Sequence, residues 1–314
     1  MKIEPFLTSH TPLRETLEML RKCAAADYPV LILGETGTGK ELLARFLHAS
    51  SERRKGPFLV ESGGMFQDSL IENELFGHVP GAFSSADTAQ PGLLRSADGG
   101  TLFLDGVENA TPALQTKLLR FLQEGTIRPV GANAWVKLRV RMVSASSKPL
   151  AQLRQVLRED FFFRIGALTL EIPPLRRRPE DIPLLARHFA SDPEQRVYLS
   201  ASVLAALSAY SWPGNVRELR NELMNLHLRG GKRPRCLHLS PAVRFPAPPP
   251  ASGPSVPDAG GPVDFHAAMA ATERRFLREA LFRNRFNQSR TARELRVSRT
   301  WLCGKLNFYQ LKAG

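Results

Sequence analysis

Residues Leu31 to Glu41 read LILGETGTGKE and restrict the fold more than any other part of the chain. An apolar run ends in a loop with glycines at positions 34, 37 and 39, and a helical pattern starts at Lys40. Glycines let such a loop turn its amides inward toward phosphate oxygens. The helix N-terminus adds partial positive charge, and a lysine at that point reaches β and γ phosphates. A parallel sheet has to stand behind a loop of this kind. The residue after the lysine is Glu41 rather than Ser or Thr, so one magnesium contact of the general pattern is missing.

The rest of the N-terminal half supplies that sheet. YPVLIL, PFLVES, TLFLD and LRVRMVSAS read as strands, and Leu13–Ala25, Lys40–Ser50 and Pro112–Glu124 read as helices between them. Strands separated by helical segments indicate a parallel α/β sheet. From Pro179 to Asn225 the pattern is helical throughout, as in DIPLLARHFA and NVRELRNELMNL. PAPPPASGPSVPDAGGP, at 246–262, carries seven prolines and three glycines and reads as an extended tether. Helical spacing returns over Phe265–Asn284, followed by two shorter helices, Asn287–Leu295 and Arg299–Tyr309. The expected units are 1–175 (α/β), 176–242 (helical), 243–263 (linker) and 264–314 (all-α).

The formal net charge is +13, and residues 264–314 hold 11 Lys+Arg against 4 Asp+Glu. So dense an excess at one end favours a polyanionic partner. Cys23, Cys236 and Cys303 lie far apart with no CxxC pairing, which argues against disulfides or a zinc site. The start, MKIEPFL, has no apolar core of a secretion signal, and no run of about 18 apolar residues exists, so a cytoplasmic protein without membrane contact is expected.

In order, GETGTGKE, ELFGHVPGAFSSA, GGTLFLD, LREDFFFRI, IPPLRRRPEDI and WPGNVRELRN, with NQSRTARELRVSRTWLCGKL at the end, resemble the AAA+ activators of sigma-54-dependent transcription. The resemblance covers nearly the whole chain. It implies an α/β AAA+ sheet, a helical lid and a Fis-type helix-turn-helix, with ATP and Mg²⁺ as cofactors. Within the family Glu41 is the ordinary residue after the lysine. Position by position, Gly34, Glu35, Thr36, Gly37, Thr38, Gly39, Lys40 and Glu41 correspond to the phosphate loop and Asp105 to the residue that organises Mg²⁺. Arg158 and Arg164 resemble fingers that reach a neighbouring subunit's ATP, and Arg217 resembles the lid arginine that senses it. A ring, usually a hexamer, is implied.

The chain departs from the family where water would be activated. In GGTLFLDGVEN the catalytic glutamate that should follow Asp105 is Gly106, which can neither accept a proton nor orient water. General-base assistance of about 10²- to 10⁴-fold is then lost unless replaced. The asparagine that holds this glutamate in relatives is placed at Glu61, so both halves of the switch read as changed. Glu61 is expected to supply the missing carboxylate from the adjacent strand; Glu108 is another candidate, and drift in a site no longer under demand is a third reading. Ser146 and Ser147 stand where relatives commonly have Thr and Asn.

The loop that grips sigma-54, GAFTGA in relatives, is Gly81, Ala82, Phe83, Ser84, Ser85 and Ala86 here. Phe83 keeps the apolar contact and Ser84 a hydroxyl, while Ser85 narrows the backbone freedom of a glycine. In the DNA module Ser298 is the expected N-cap of the second helix. Arg299, Thr300 and Trp301 are expected on base edges, and Arg290 and Lys305 on phosphate. Cys303 and Gly304 occupy places that are often basic, and dimerisation through the helix from Phe265 is implied by the resemblance.

The leading expectation is a DNA-tethered AAA+ ring coupling ATP to remodelling of sigma-54 RNA polymerase at promoters. The alternative is a hydrolysis-deficient DNA-binding regulator: a repressor, or a passive subunit of a mixed ring with a competent paralogue. A P-loop enzyme of small metabolites is disfavoured by the DNA module. The ATPase region begins almost at Met1, so no sensory domain is expected ahead of it, and control falls to abundance, a partner or assembly on DNA.

Overall fold

The computed structural model describes residues 5–24, 26–62, 68–83, 86–191, 197–245, 270, 273–274, 276–281, 284 and 287–309. The chain divides into two units, 1–249 and 250–314. In the first, five parallel strands form one sheet in the spatial order Phe58–Ser62 (β2), Thr101–Asp105 (β5), Arg141–Ser146 (β8), Val30–Leu33 (β1) and Leu168–Glu171 (β9). Two separate antiparallel ribbons accompany it: Gly77–His78 (β3) with Gln90–Pro91 (β4), and Thr126–Ile127 (β6) with Val136–Lys137 (β7).

A strand period of two sends alternate residues to opposite faces. Val30, Ile32, Phe103, Val143 and Ala145 pack against Leu20 of helix α1 (Thr11–Cys23) and Leu43, Ala44 and Leu47 of helix α2 (Lys40–Ala49). Leu31, Leu33, Leu102, Leu104 and Met142 face the other way. They pack against α3 (Asp68–Phe76), α4 (Leu93–Ser96), α5 (Pro112–Glu124), α6 (Leu150–Val156) and α7 (Glu159–Ile165). The boundaries of α5 follow from local chemistry. The Thr111 hydroxyl accepts from the Leu114 N–H, Pro112 fills the first turn, and Gly125 ends the helix at φ +67°.

The lid comprises α8 (Asp181–Ala190), α9 (Ala201–Ala209), α10 (Asn215–Gly230) and α11 (Pro241–Arg244) around a core of its own. Trp212 is fully buried there, donates from Nε1 to the Leu207 carbonyl at 2.8 Å and meets the Tyr210 ring edge-on. Val243, 2 % exposed, belongs to that core. The lid therefore reaches into the segment assigned to the tether, because an apolar side chain in a helical turn packs where it can. The proline-rich stretch itself lies outside the described residues.

In the second unit Leu277, Leu281, Ala292, Leu302 and Leu306 form a small core beneath the helices Gln288–Glu294 and Arg299–Phe308. Asn287 caps the first, accepting from the Arg290 N–H, and the Ser298 hydroxyl accepts from the Trp301 N–H at 3.1 Å at the start of the second. Between them Arg296 takes φ +55°. Of the helix expected over Phe265–Asn284, residues 276–281 are helical, and much of the remainder, with its expected dimer contacts, lies outside the described residues.

Candidate nucleotide site

A cavity of about 810 Å³ opens between the edge of the sheet and the lid. Thr36 to Leu42, Ser62, Asp105, Gly106, Glu108 and Ser147 line it from the sheet side. Phe6, Leu7, Leu185, Phe189, Arg217 and Arg220 are among the residues that close it from the N-terminal segment and the lid. Gly37 and Gly39 take φ +80° and +104°, so the loop adopts a path that residues with a Cβ rarely follow. At Gly37 a Cβ would stand 2.4 Å from the Gly214 carbonyl oxygen. The N–H groups of Val216 and Arg217 donate to the Gly37 carbonyl at 3.0 and 3.3 Å, so lid and phosphate loop touch backbone to backbone.

Lys40 is buried and donates from Nζ to the carbonyls of Gly34 and Glu35 at 2.8 and 3.3 Å. Burial lowers its pKa, and the charges of Asp105 and Glu108 oppose that shift. Asp105 ends β5 on the same side. Burial raises its carboxyl, against the attraction of Lys40, and Glu108 raises it further. A glycine cradle, a buried lysine and a carboxylate at one end of a cavity fit the phosphates of a nucleotide with its Mg²⁺ ion.

The expected loop residues do not all act in the same way. Gly34 and Glu35 do not line the cavity. The Glu35 carboxylate is held by Arg176 in a two-point pair at 2.6 and 2.7 Å and accepts from Asn215 Nδ2 at 3.2 Å, so its side chain ties the loop to the lid. These bonds, Arg176 first, lower its pKa. Glu41 lines the cavity, but its carboxylate pairs with Arg45.

Glu61 does not replace the missing acid. The β2 register pairs Ser62 with Asp105 and Glu61 with Leu104, so Ser62 reaches the cavity and Glu61 points through the opposite face. There burial and the charge of Glu74 raise its carboxyl. One residue along a strand is the difference between the two faces. Glu108 does reach the cavity. Gly106 turns at φ +75°, ψ +39°, and a 3₁₀ turn over Val107–Asn109 carries the Glu108 carboxylate back toward Lys40, where Ser147 donates to its Oε1 from N (3.1 Å) and Oγ (2.8 Å).

A second set of contacts was not assigned from sequence, although IPPLRRRPEDI was recognised as a motif. Arg178 is fully buried, donates from Nη2 to the Thr38 carbonyl at 2.9 Å and pairs with Asp181 at 3.4 Å. Asp181 also accepts from the Thr8 hydroxyl (2.8 Å) and from the N–H groups of Ser9 (2.5 Å) and His10 (3.2 Å). Phosphate loop, lid and N-terminal segment therefore meet at one buried ion pair.

Arg158 and Arg164 lie outside the cavity. Arg158 is exposed at the start of α7, bonded to Asp160 and Thr116; Arg164 is exposed and donates to the Leu122 carbonyl. In the loop expected to grip sigma-54, Gly81 takes φ +78°, its N–H donates to the Ala86 carbonyl, and Phe83, 38 % exposed, rests on the His78 ring at 4.9 Å. Ala82 approaches Gly131 and Ala86 is buried, while Ser84 and Ser85 lie outside the described residues. In the C-terminal unit Arg290, Ser298, Arg299, Thr300 and Trp301 are exposed. Lys305 is not a free phosphate contact: its Nζ pairs with Glu273 at 2.7 Å, because helix packing brings that carboxylate under it.

A strand–glycine loop–helix, a strand-end aspartate and a lid arginine over one cavity define a P-loop nucleotide-binding protein of the AAA+ class. Residues 6–171 match the Sigma-54 interaction domain, 176–249 the AAA+ ATPase lid domain and 268–309 the Fis family of bacterial regulatory proteins. The chain belongs to the sigma-54 activator family. It is 40 % identical to the hydrogenase transcriptional regulatory protein HoxA of Cupriavidus necator, over 94 % of this chain and 63 % of that protein. It is 37 % identical to the regulatory protein AtoC of Escherichia coli, over 96 % of this chain and 67 % of that one. Crystallised NtrX from Brucella abortus in complex with ADP superimposes with a TM-score of 0.70 at 29 % identity, over 98 % of this chain and 70 % of that one. The chain spans less than two thirds of the length of HoxA. Among the described residues no helix is long and apolar enough to cross a membrane.

Proposed function

We propose that the chain is an ATP-driven, DNA-bound activator that remodels sigma-54 RNA polymerase. The carrying observation is the single cavity in which the phosphate loop, Asp105 and Arg217 of the lid converge, within a chain whose family is that of sigma-54 activators. Lys40 binds the β and γ phosphates, the loop amides of residues 36–40 cradle them, and Phe6, Leu7, Leu185 and Phe189 offer apolar surface to the base. Asp105 would hold Mg²⁺, which neutralises phosphate charge when bound. Arg217 enters from the lid and couples occupancy to lid position.

One feature supports a ring, a hexamer by family resemblance. Arg158 and Arg164 are exposed away from their own cavity, which supports a role on a neighbour's nucleotide, where a cation supplied in trans offsets charge developing in the transition state. Phe83 stands on a loop braced by the Gly81–Ala86 hydrogen bond, available to an apolar patch on the sigma factor. At the other end Arg299, Thr300 and Trp301 face outward from the first turn of the second helix, as base readout requires, with Arg290 left for phosphate.

The test is transcription with purified sigma-54 polymerase on supercoiled template. Open-complex formation that needs this chain, hydrolysable ATP and an upstream site supports the reading. A chain that binds DNA and only represses, or works only when mixed with a competent paralogue, supports the passive alternative that Gly106 suggests.

A further inference from the structure

Glu108 has no role in the reading above, yet its surroundings are those of a working group. It is 7 % exposed, lines the nucleotide cavity and holds Oε1 against two donors of Ser147. Its other oxygen, Oε2, is buried and, among the described residues, has no hydrogen-bond partner. Burying a carboxylate oxygen without a partner is costly, and native proteins rarely do so unless a water or ligand completes the set. Burial alone would raise its carboxyl. Its own N–H, the hydroxyls of Ser147 and Ser146 and the Ser147 N–H overcome that and hold it below the ordinary range, so it is ionised near neutrality.

The backbone explains how it arrives there. Gly106, where an acid is missing, sits in the left-handed region that glycine enters without cost, and the 3₁₀ turn that follows redirects the chain so that the residue two positions on faces Lys40. Ser147, at the end of the strand beside Asp105, supplies the anchor.

We propose that Glu108 is the catalytic base of ATP hydrolysis in this chain, occupying from position 108 the role vacant at 106; this rests on the nucleotide reading given above. Water attacks the γ-phosphorus, the bond from that phosphorus to the β–γ bridging oxygen breaks, and ADP leaves with the electron pair. The water proton passes to the Glu108 carboxylate and returns to solvent with the phosphate product. Ser147 is a positioning residue that, through Oε1, fixes the carboxylate beside the cavity.

The experiment uses the purified full chain, at concentrations raised until turnover per protomer is constant, with ATP affinity measured by calorimetry. The unmodified chain is expected to bind and hydrolyse ATP. Glu108→Gln should bind ATP within about three-fold of that affinity, lose about 10²-fold or more in turnover, and retain uncleaved ATP after gel filtration. Ser147→Ala, which removes one donor and leaves the N–H contact, should lower kcat by about ten-fold with KM unchanged. Glu61→Gln should leave turnover as it was. Binding without turnover in the unmodified chain overturns the proposal and leaves the nucleotide reading intact; so does full turnover in Glu108→Gln. Absence of ATP binding sinks the nucleotide reading itself. Should Glu108→Gln fail to fold, the kcat of Ser147→Ala decides: a value equal to that of the unmodified chain overturns the assignment.

Discussion

Asn215 carries more of the lid's attachment than its size suggests. It is buried at φ +54°, accepts from the Leu175 N–H through Oδ1 at 2.8 Å and donates from Nδ2 to Glu35 and the Thr36 carbonyl. Asn tolerates the left-handed region better than most residues, and its amide satisfies groups from loop and lid at once. Asn215→Ala should cost about 2–3 kcal/mol, since it strands the buried Leu175 N–H and keeps the unfavourable φ. Chemical denaturation followed through Trp212 measures the loss. How legible such residues are depends on what fixes them. The glycines and Lys40 could be read because their geometry is local. Glu61 was misplaced because the faces of a strand exchange with every residue, and only the register Ser62–Asp105 settles which side chain meets the phosphates. The direction of Glu108 depends on the dihedrals of Gly106, which composition does not record.

At the scale of elements, strands and long helices were readable from periodicity and caps. The edge strand β9 and the two short ribbons were not, since two to four residues carry too little pattern. Gly304 lies on the exposed side of the helix Arg299–Phe308, and a Cβ there meets nothing within 4 Å. Gly304→Ala should therefore stabilise the C-terminal unit by about 1 kcal/mol, read as a raised melting temperature of that unit's transition. The loop that carries Phe83 permits a separation of functions. Phe83 lies outside the cavity lining, so Phe83→Ala should leave ATP affinity unchanged while weakening capture of sigma-54 by about ten-fold or more, as expected for an apolar anchor residue. Native gels with sigma-54 and a transition-state nucleotide analogue would show it, and equal capture by both forms would remove Phe83 from the interface.

At the scale of the molecule, the proposed ring, in which the exposed Arg158 and Arg164 serve a neighbour's site, makes assembly a condition of chemistry. Lys40→Ala and Arg164→Ala should each abolish turnover alone. An equal mixture should regain part of it, because a site with intact Lys40 can then border a protomer with intact Arg164. A mixture as inactive as its parts would argue that Arg164 acts within its own chain. Of the contacts that hold lid to sheet, Arg178 reaches Thr38, and Asp181 reaches Thr8, 173 residues away in sequence. Separations of that size explain why their motif was visible and their purpose was not.

The knot at Asp181 has a mechanical corollary. Thr8, Ser9 and His10 hang from the same carboxylate that pairs with Arg178, and Arg178 holds the Thr38 carbonyl, so a displacement of the chain at Thr8 is passed through one ion pair to the phosphate loop.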